Sequence, residues 1–283
     1  MIYIPQAVAR IPIVRGIFRL FLMAYARLFK NRFVIEQRMG LQLLLDRDNI
    51  IDWQLFIAGK WERPQFTELF GLAAEQLRRR KADAVFLDIG AHWGLYALAA
   101  HQSGMFSRIL AFEPDPISYG QLQANLFLNH AQNAIEPIQL AASNCERDFA
   151  LQPGDIRNRG ATMVIEPDAA HPMTAHGIAI DSRYHFTDKL LVIKIDVESH
   201  EPEVLDGMRN LLARNRCILQ VEIWDQPAGE TERRFKRLSA LFAGYNIRFV
   251  RAIDADFFFV SDFPHAQTKS ELAKGETSKG EMR

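Results

Sequence analysis

Acidic residues stand at the ends of several apolar runs, and the first of them is followed almost at once by glycine. In VFLDIGAHWGLYALAA, residues 85–100, Asp88 sits near the end of a run whose β-branched and aromatic content reads as a buried strand. Gly90 and Gly94 follow, four positions apart, before a helix that starts at Leu95. A strand, a glycine turn and a helix start bring bare backbone N–H groups to one place, where a ligand can be held. An ordinary βα turn is the plainer reading of the same residues. RILAFEP brings Glu113 to the end of a second strand, and KLLVIKIDVE brings Asp196 and Glu198 to the end of another. CILQVEIW adds Glu222. Burying that many carboxylates without partners is costly, so a shared pocket explains them better than core packing does.

The spacing narrows the ligand. A dinucleotide fingerprint, G-x-G-x-x-G, needs glycine where His92 and Leu95 stand, and the sequence has no phosphate-loop motif. The observed D-x-G-x-x-x-G suits a smaller ligand with an amino-acid part and a ribose but no phosphate. Glu113 would then accept hydrogen bonds from both ribose hydroxyls.

The elements that must position these residues alternate. Phe33 to Leu45 reads as a hairpin around Gly40, and Thr67 to Lys81 as a helix with Leu69, Phe70, Leu72, Ala73 and Leu77 on its apolar face. After the second strand, a helix starts at Pro116 with Ile117, Leu122 and Leu126 inward. AIEPIQLAAS is a third strand, whose proline suits an edge. Leu151 to Ser182 holds three prolines and three glycines and predicts a long irregular insertion. A buried strand over Leu190 to Ile195 leads into one helix near Pro202, with Val204, Leu205, Met208, Leu211 and Leu212 as its apolar face. CILQVEIW is a fifth strand, Glu232 to Phe242 a helix, and NIRFVRAI with DFFFVSD an antiparallel closing pair. The expected fold is α/β: a Rossmann-like, doubly wound, mostly parallel sheet with an antiparallel closing strand and an N-terminal helical and hairpin extension. Ligands in such sheets bind beyond the carboxyl ends of the strands. The expected division is a basic helix over 1–32, a hairpin and helix extension over 33–81, the ligand-binding domain over 82–265 and a disordered tail over 266–283.

Composition bounds the rest. The chain has 283 residues, and its 34 Lys and Arg balance 34 Asp and Glu, which leaves no electrostatic footprint for nucleic acid. Cys145 and Cys217 offer neither a metal spacing nor a disulfide framework, and fit a reducing, cytoplasmic compartment. Ile11 to Arg32 departs from neutrality, with five basic residues and no acid. Its arginines exclude a membrane span of roughly 20 apolar residues. Ala24-Tyr25-Ala26 mimics a signal-cleavage site, but Arg19 interrupts the apolar stretch such a signal needs. A basic amphipathic helix touching the inner membrane surface fits better, against the alternative of a helix packed on the domain.

FLDIGAHWGLYALAA, AFEPDP and IKIDVESHEPEVLDG together resemble the FkbM-type methyltransferases that use S-adenosylmethionine, over roughly Trp61 to Trp224. The third stretch, K-I-D-V-E-x-x-E-x-x-V-L-x-G, carries most of the resemblance; Ser199 departs from it, where the family has glycine. The resemblance implies a class I methyltransferase fold and S-adenosylmethionine as the cofactor. It implies that Asp88, Gly90, Ala91 and Gly94 hold the methionine part, and Glu113 the ribose. Pro114, Asp115, Ala142 and Ser143 would lie about the adenine. Asp196 and Glu198 would face the methyl group and a hydroxyl acceptor on a sugar, glycolipid or polyketide.

The candidate general bases are Asp196, Glu198, His200 and His92, with Asp196 favoured because it ends the fourth strand. Arg157, Asn158 and Arg159 in the irregular segment, and Glu222, are candidate acceptor contacts. No resident metal is expected. A competing reading takes Asp196-Val197-Glu198 as the metal clamp of a nucleotide-sugar glycosyltransferase. Another takes the chain as a membrane-surface binding module without chemistry, for which Ser199 is the only motif-level support.

Overall fold

The computed structural model describes residues 32–154, 158–223 and 229–261. The basic segment 11–31, Arg157 and the tail at 266–283 lie outside them. Among the described residues no helix is long and apolar enough to cross a membrane.

Phe33–Arg38 (β1) and Leu41–Asp46 (β2) form the expected antiparallel hairpin. Alternation along β2 sends Leu41, Leu43 and Leu45 into the core. Two helices follow, Ile50–Ala58 (α1) and Arg63–Arg79 (α2). The second starts ahead of the predicted Thr67 because a proline is tolerated in a first turn.

The main sheet holds seven strands. Ala84–Ile89 (β3), Arg108–Phe112 (β4), Ile135–Ile138 (β5), Leu190–Ile195 (β10) and Arg216–Glu222 (β11) run parallel. Asp256–Ser261 (β13) pairs antiparallel with β11, and Ile247–Ile253 (β12) antiparallel with β13. The order across the sheet is β12-β13-β11-β10-β3-β4-β5. Pro137 falls on β5, an edge strand, where a missing N–H costs no ladder bond on the open side.

Phe86, Val192 and Ile218 pack on one face with Leu69 and Ala73 of α2, Leu98 of Leu95–Ser103 (α3) and Leu122 of Pro116–Leu128 (α4). Leu87, Ile193 and Leu219 pack on the other face. There they meet Val204 of Glu201–Asp206 (α6), Leu212 of Arg209–Arg214 (α7) and Phe242 of Glu230–Ala243 (α8). Cover on both faces explains why the parallel strands read as unbroken apolar runs.

Four expectations change. Ile117 is 47% exposed rather than inward, because α4 turns Gln121 and Asn125 toward the hairpin. Gln121 Nε2 donates to the Leu44 carbonyl at 2.8 Å, and Asn125 Oδ1 accepts from Leu44 N at 2.7 Å. AIEPIQLAAS splits into β5 and Ala141–Ser143 (β6), which leaves the main sheet for a second one. That sheet, ordered β6-β9-β7-β8, is completed by Arg147–Gln152 (β7), Met163–Ile165 (β8) and Thr174–Ala179 (β9). About a third of the stretch expected to be irregular is therefore sheet, with its prolines between the strands, and the short helix Ile180–Arg183 (α5) follows. The single helix expected after β10 is broken at Gly207, whose backbone lies so close to the Ser143 carbonyl that a Cβ would come within 1.8 Å of it.

Candidate active site

A cavity of about 340 Å³ opens beyond the carboxyl ends of β3, β4, β10 and β11. It lies where β3 turns to β4 on one side and to β10 on the other, the switch point at which doubly wound sheets take ligands. Asp88, Gly90, Ala91, Glu113, Pro114, Ala142, Asn158, Asp196, Glu198, His200 and Glu222 all line it. Gly94, Asp115 and Ser143 do not. Gly94 lies under Leu122, whose Cδ1 would be 2.3 Å from any Cβ there. Asp115 caps α4, accepting from Ile117 N and Ser118 N at 2.9 and 2.8 Å. The Ser143 hydroxyl meets His200 Nε2 at 3.0 Å.

Gly90 adopts a left-handed backbone with φ +81°, and a Cβ there would come within 1.8 Å of the Asp196 carbonyl oxygen. Only glycine lets the turn after β3 press onto the end of β10. Gly90 N and Ala91 N both donate to the Phe112 carbonyl, at 3.0 and 2.8 Å, which ties the turn to β4. Asp88 Oδ2 accepts from Ala97 N at 2.9 Å and so caps the first turn of α3 from inside the sheet. Asp88 Oδ1 is buried and has no hydrogen-bond partner. Burial pushes the Asp88 carboxyl up to about 6, against the pull of the Lys194 ammonium beside it in register.

Glu113 braces the same turn. Its Oε2 accepts from His92 N at 2.7 Å and its Oε1 from Asp115 N at 2.9 Å. Each oxygen keeps a further lone pair for a ligand hydroxyl. Burial outweighs those two bonds and pushes its carboxyl up to about 8.

On the other side of the turn, Lys194 Nζ lies 2.7 Å from Asp196 Oδ2 and 4.7 Å from the centre of the Tyr96 ring. Asp196 also shares a hydrogen bond with Glu222. Burial works against its charge, but Lys194 and that bond hold Asp196 below the usual carboxylate range. Burial and the neighbouring Asp196 push Glu222 far up, so Glu222 carries the shared proton. Asp196 is thus committed to an ammonium and a carboxylic acid. Glu198 has neither; burial, then Asp196 and Glu201, push it up to about 7. Both histidines are depressed by burial, His92 to about 4, so His92 is a weak proton acceptor at neutral pH.

Glu198 and Ser199 are both left-handed, at φ +50° and +81°. The serine keeps the turn that glycine would make, held by Glu201 Oε1, which accepts from Ser199 N at 2.9 Å. Lys194, Tyr96 and Glu62 also line the cavity and were not singled out from the sequence. Tyr96 donates to Glu62 Oε2 at 2.6 Å, and Gln220 Nε2 donates to the Tyr96 oxygen and to Asp256 Oδ1 at 2.8 and 2.7 Å. The one sequence signal for this network was a lysine inside an otherwise apolar strand. Among the described residues no group of three His, Cys, Asp or Glu is arranged to hold a metal ion.

Sheet order, switch-point cavity and glycine turn define a class I methyltransferase architecture. The methyltransferase FkbM domain family matches residues 88–249, more than half of the chain. The chain belongs to that family, whose members are methyltransferases that use S-adenosylmethionine. A hexuronic acid methyltransferase, AglP, of Haloferax volcanii is 28% identical over 159 residues, 55% of this chain and 63% of the relative. The chain thus spans less than two thirds of that relative's length. The methyltransferase sdnD of Sordaria araneosa is 25% identical over 204 residues, covering 58% of this chain and 75% of the relative. Among solved structures, the methyltransferase FkbM of Methylobacillus flagellatus aligns with TM-score 0.42 at 18% identity, over 63% of this chain and 43% of that one. TYW2 of M. jannaschii, solved with AdoMet, aligns with TM-score 0.43 at 14% identity, over 82% and 85%.

Proposed function

We propose that the protein is an O-methyltransferase that moves the methyl group of S-adenosylmethionine to a hydroxyl of a small, sugar-like acceptor. One observation carries the reading: Gly90 is pressed onto the Asp196 carbonyl, which joins the turn after β3 and the acids after β10 in a single cavity. The residues present fit the cofactor. Asp88 keeps a buried oxygen without a partner, Gly90 leaves backbone where a side chain would stand, and Glu113 keeps lone pairs for a diol. In this reading Asp88, Gly90 and Ala91 hold the methionine part, Glu113 the ribose, and Pro114 with Ala142 the adenine. Bound there, the cofactor supplies a methyl group on a positively charged sulfur.

Glu198 is the base this site offers. A proton acceptor works best when its pKa lies near the working pH, and Glu198 sits at about 7. Asp196, pinned by Lys194, steadies the loop that carries Glu198 instead. Glu198 would take the proton of the acceptor hydroxyl as that oxygen receives the methyl group the cofactor would supply. Positioning contributes about 7–11 kcal/mol to such a step, and a base about 10²–10⁴-fold. Positioning therefore outweighs the base. The name of the Haloferax relative supports a sugar-type acceptor. Two free cysteines, Cys145 and Cys217, support a cytoplasmic setting.

Thermal unfolding with S-adenosylhomocysteine, NAD, or a UDP-sugar plus Mn²⁺ tests the reading. A ligand at about 100 times its Kd stabilises by ~2.7 kcal/mol, roughly 5–10 °C in Tm for a domain of this size. A shift with S-adenosylhomocysteine alone is expected. A shift with the UDP-sugar and Mn²⁺ alone overturns the reading in favour of a glycosyltransferase.

A further inference from the structure

Among the described residues, the cavity wall carries six carboxyl groups, Glu62, Asp88, Glu113, Asp196, Glu198 and Glu222, against two strong cations, Lys194 and Arg159. Lys194 is committed to Asp196 at 2.7 Å. The half-buried Arg159 is not committed: its guanidinium makes no hydrogen bond or ion pair with any described residue. Its charge reaches Asp46 and His92, but Asp46 is already held by Arg32 at 2.6 Å, and His92 is neutral at pH 7. The turn that carries it, Arg159–Ala161, is wedged in place. A Cβ on Gly160 would come within 2.8 Å of Ile51 Cδ1 in α1 and 3.8 Å of His92 Cε1 in the turn after β3. Thr162 Oγ1 closes the turn by donating to the Arg159 carbonyl at 2.9 Å. Beside it, Asn158 Oδ1 is buried and has no hydrogen-bond partner among the described residues. A half-buried guanidinium without a hydrogen-bond partner among the described residues keeps its donors for a ligand, and its planar fork takes a carboxylate with two parallel bonds. An acceptor-only oxygen such as Asn158 Oδ1 calls for a ligand hydroxyl.

We propose that Arg159 seats a carboxylate of the acceptor and Asn158 Oδ1 one of its hydroxyls, so that the protein methylates a small hydroxylated carboxylic acid of the sugar-acid type. The inference rests on the methyltransferase reading and names the acceptor class for the same cavity.

Calorimetric titration of the full chain, saturated with S-adenosylhomocysteine at fixed ionic strength, tests it. The two probes are methyl β-glucuronide and methyl β-glucoside, which share a ring and differ by the carboxylate. The glucuronide is expected to bind at least about tenfold more tightly, the size of one charge-assisted contact. Arg159→Met abolishes that preference, Arg159→Lys keeps part of it, and both leave S-adenosylhomocysteine affinity unchanged. Equal affinities in the unaltered protein, a preference that survives Arg159→Met, or no binding of either glycoside overturns the carboxylate seat alone. Failure of S-adenosylhomocysteine to bind overturns the methyltransferase reading, and the seat with it.

Discussion

Four carboxylates at strand ends look alike in the sequence, and their surroundings make them different. Asp88 caps α3 with one oxygen, Glu113 braces the turn, Asp196 is paired with Lys194, and Glu222 holds a proton against Asp196. Glu198 changes charge near neutrality at about 7, between Asp88 at about 6 and Glu113 at about 8, and of these three it is the proposed base. A base must be unprotonated to act, so activity falls as the pH drops below about 7. Glu198→Gln should remove that acid limb and lower kcat by about 10²–10⁴-fold while leaving S-adenosylhomocysteine affinity unchanged. A pH–rate profile beside a binding titration reads both. Were Asp196 the base, the limb would lie below the ordinary carboxylate range. Lys194→Met tests the neighbouring pair. It leaves Asp196, 27% exposed to the cavity, without its ammonium; removing one partner of a fully buried pair costs about 3–5 kcal/mol, and water in the cavity lowers that figure here. Urea unfolding at pH 7 should show that loss.

At the scale of elements, the loop after β10 stores strain. Glu198 and Ser199 in succession occupy a left-handed backbone, which costs a residue with a Cβ about 1–2 kcal/mol each. Ser199→Gly relieves that strain, and the greater freedom of glycine when unfolded takes back about 0.5–1 kcal/mol. The expected net gain is ~0.5–1 kcal/mol, read from the urea midpoint at unchanged slope. An equal or lower midpoint would mean that the serine side chain contributes something the backbone geometry does not reveal. The break between α6 and α7 has the opposite logic: Gly207 stands where β6 leaves no room for a Cβ, so no larger residue is expected to fit.

At the scale of the whole molecule, polar side chains join the hairpin to the domain. Gln121 bonds the Leu44 carbonyl and Asp52 Oδ2, and Asp52 in turn accepts from Asp46 N at 2.7 Å. Gln121→Ala leaves buried acceptors unmatched at about 1–3 kcal/mol. Hydrogen exchange should then quicken in β1 and β2 before it quickens in β3 or β10, because the hairpin forms its own two-stranded sheet.

The parallel strands, their acids, the glycine turn and the antiparallel closing pair were legible because period, composition and spacing are local properties of the chain. So was the family, because its motif from Lys194 to Gly207 is contiguous. The second sheet was not legible: its strands are three to six residues long, and prolines and glycines separate them, so none shows a sustained period. Ile117 was misplaced because the inward face of α4 is partly amide, which hydropathy does not mark. Only the tertiary structure decided which acid is free. The proton that Asp196 shares with Glu222 on the neighbouring strand, and the lack of a hydrogen-bond partner for Arg159 among the described residues, depend on contacts between separate elements, whereas the Lys194–Asp196 pair lies two residues apart at the end of one strand. Local sequence specifies which groups reach the cavity; the packing of strand ends against turns specifies which of them are left with charge or lone pairs to use.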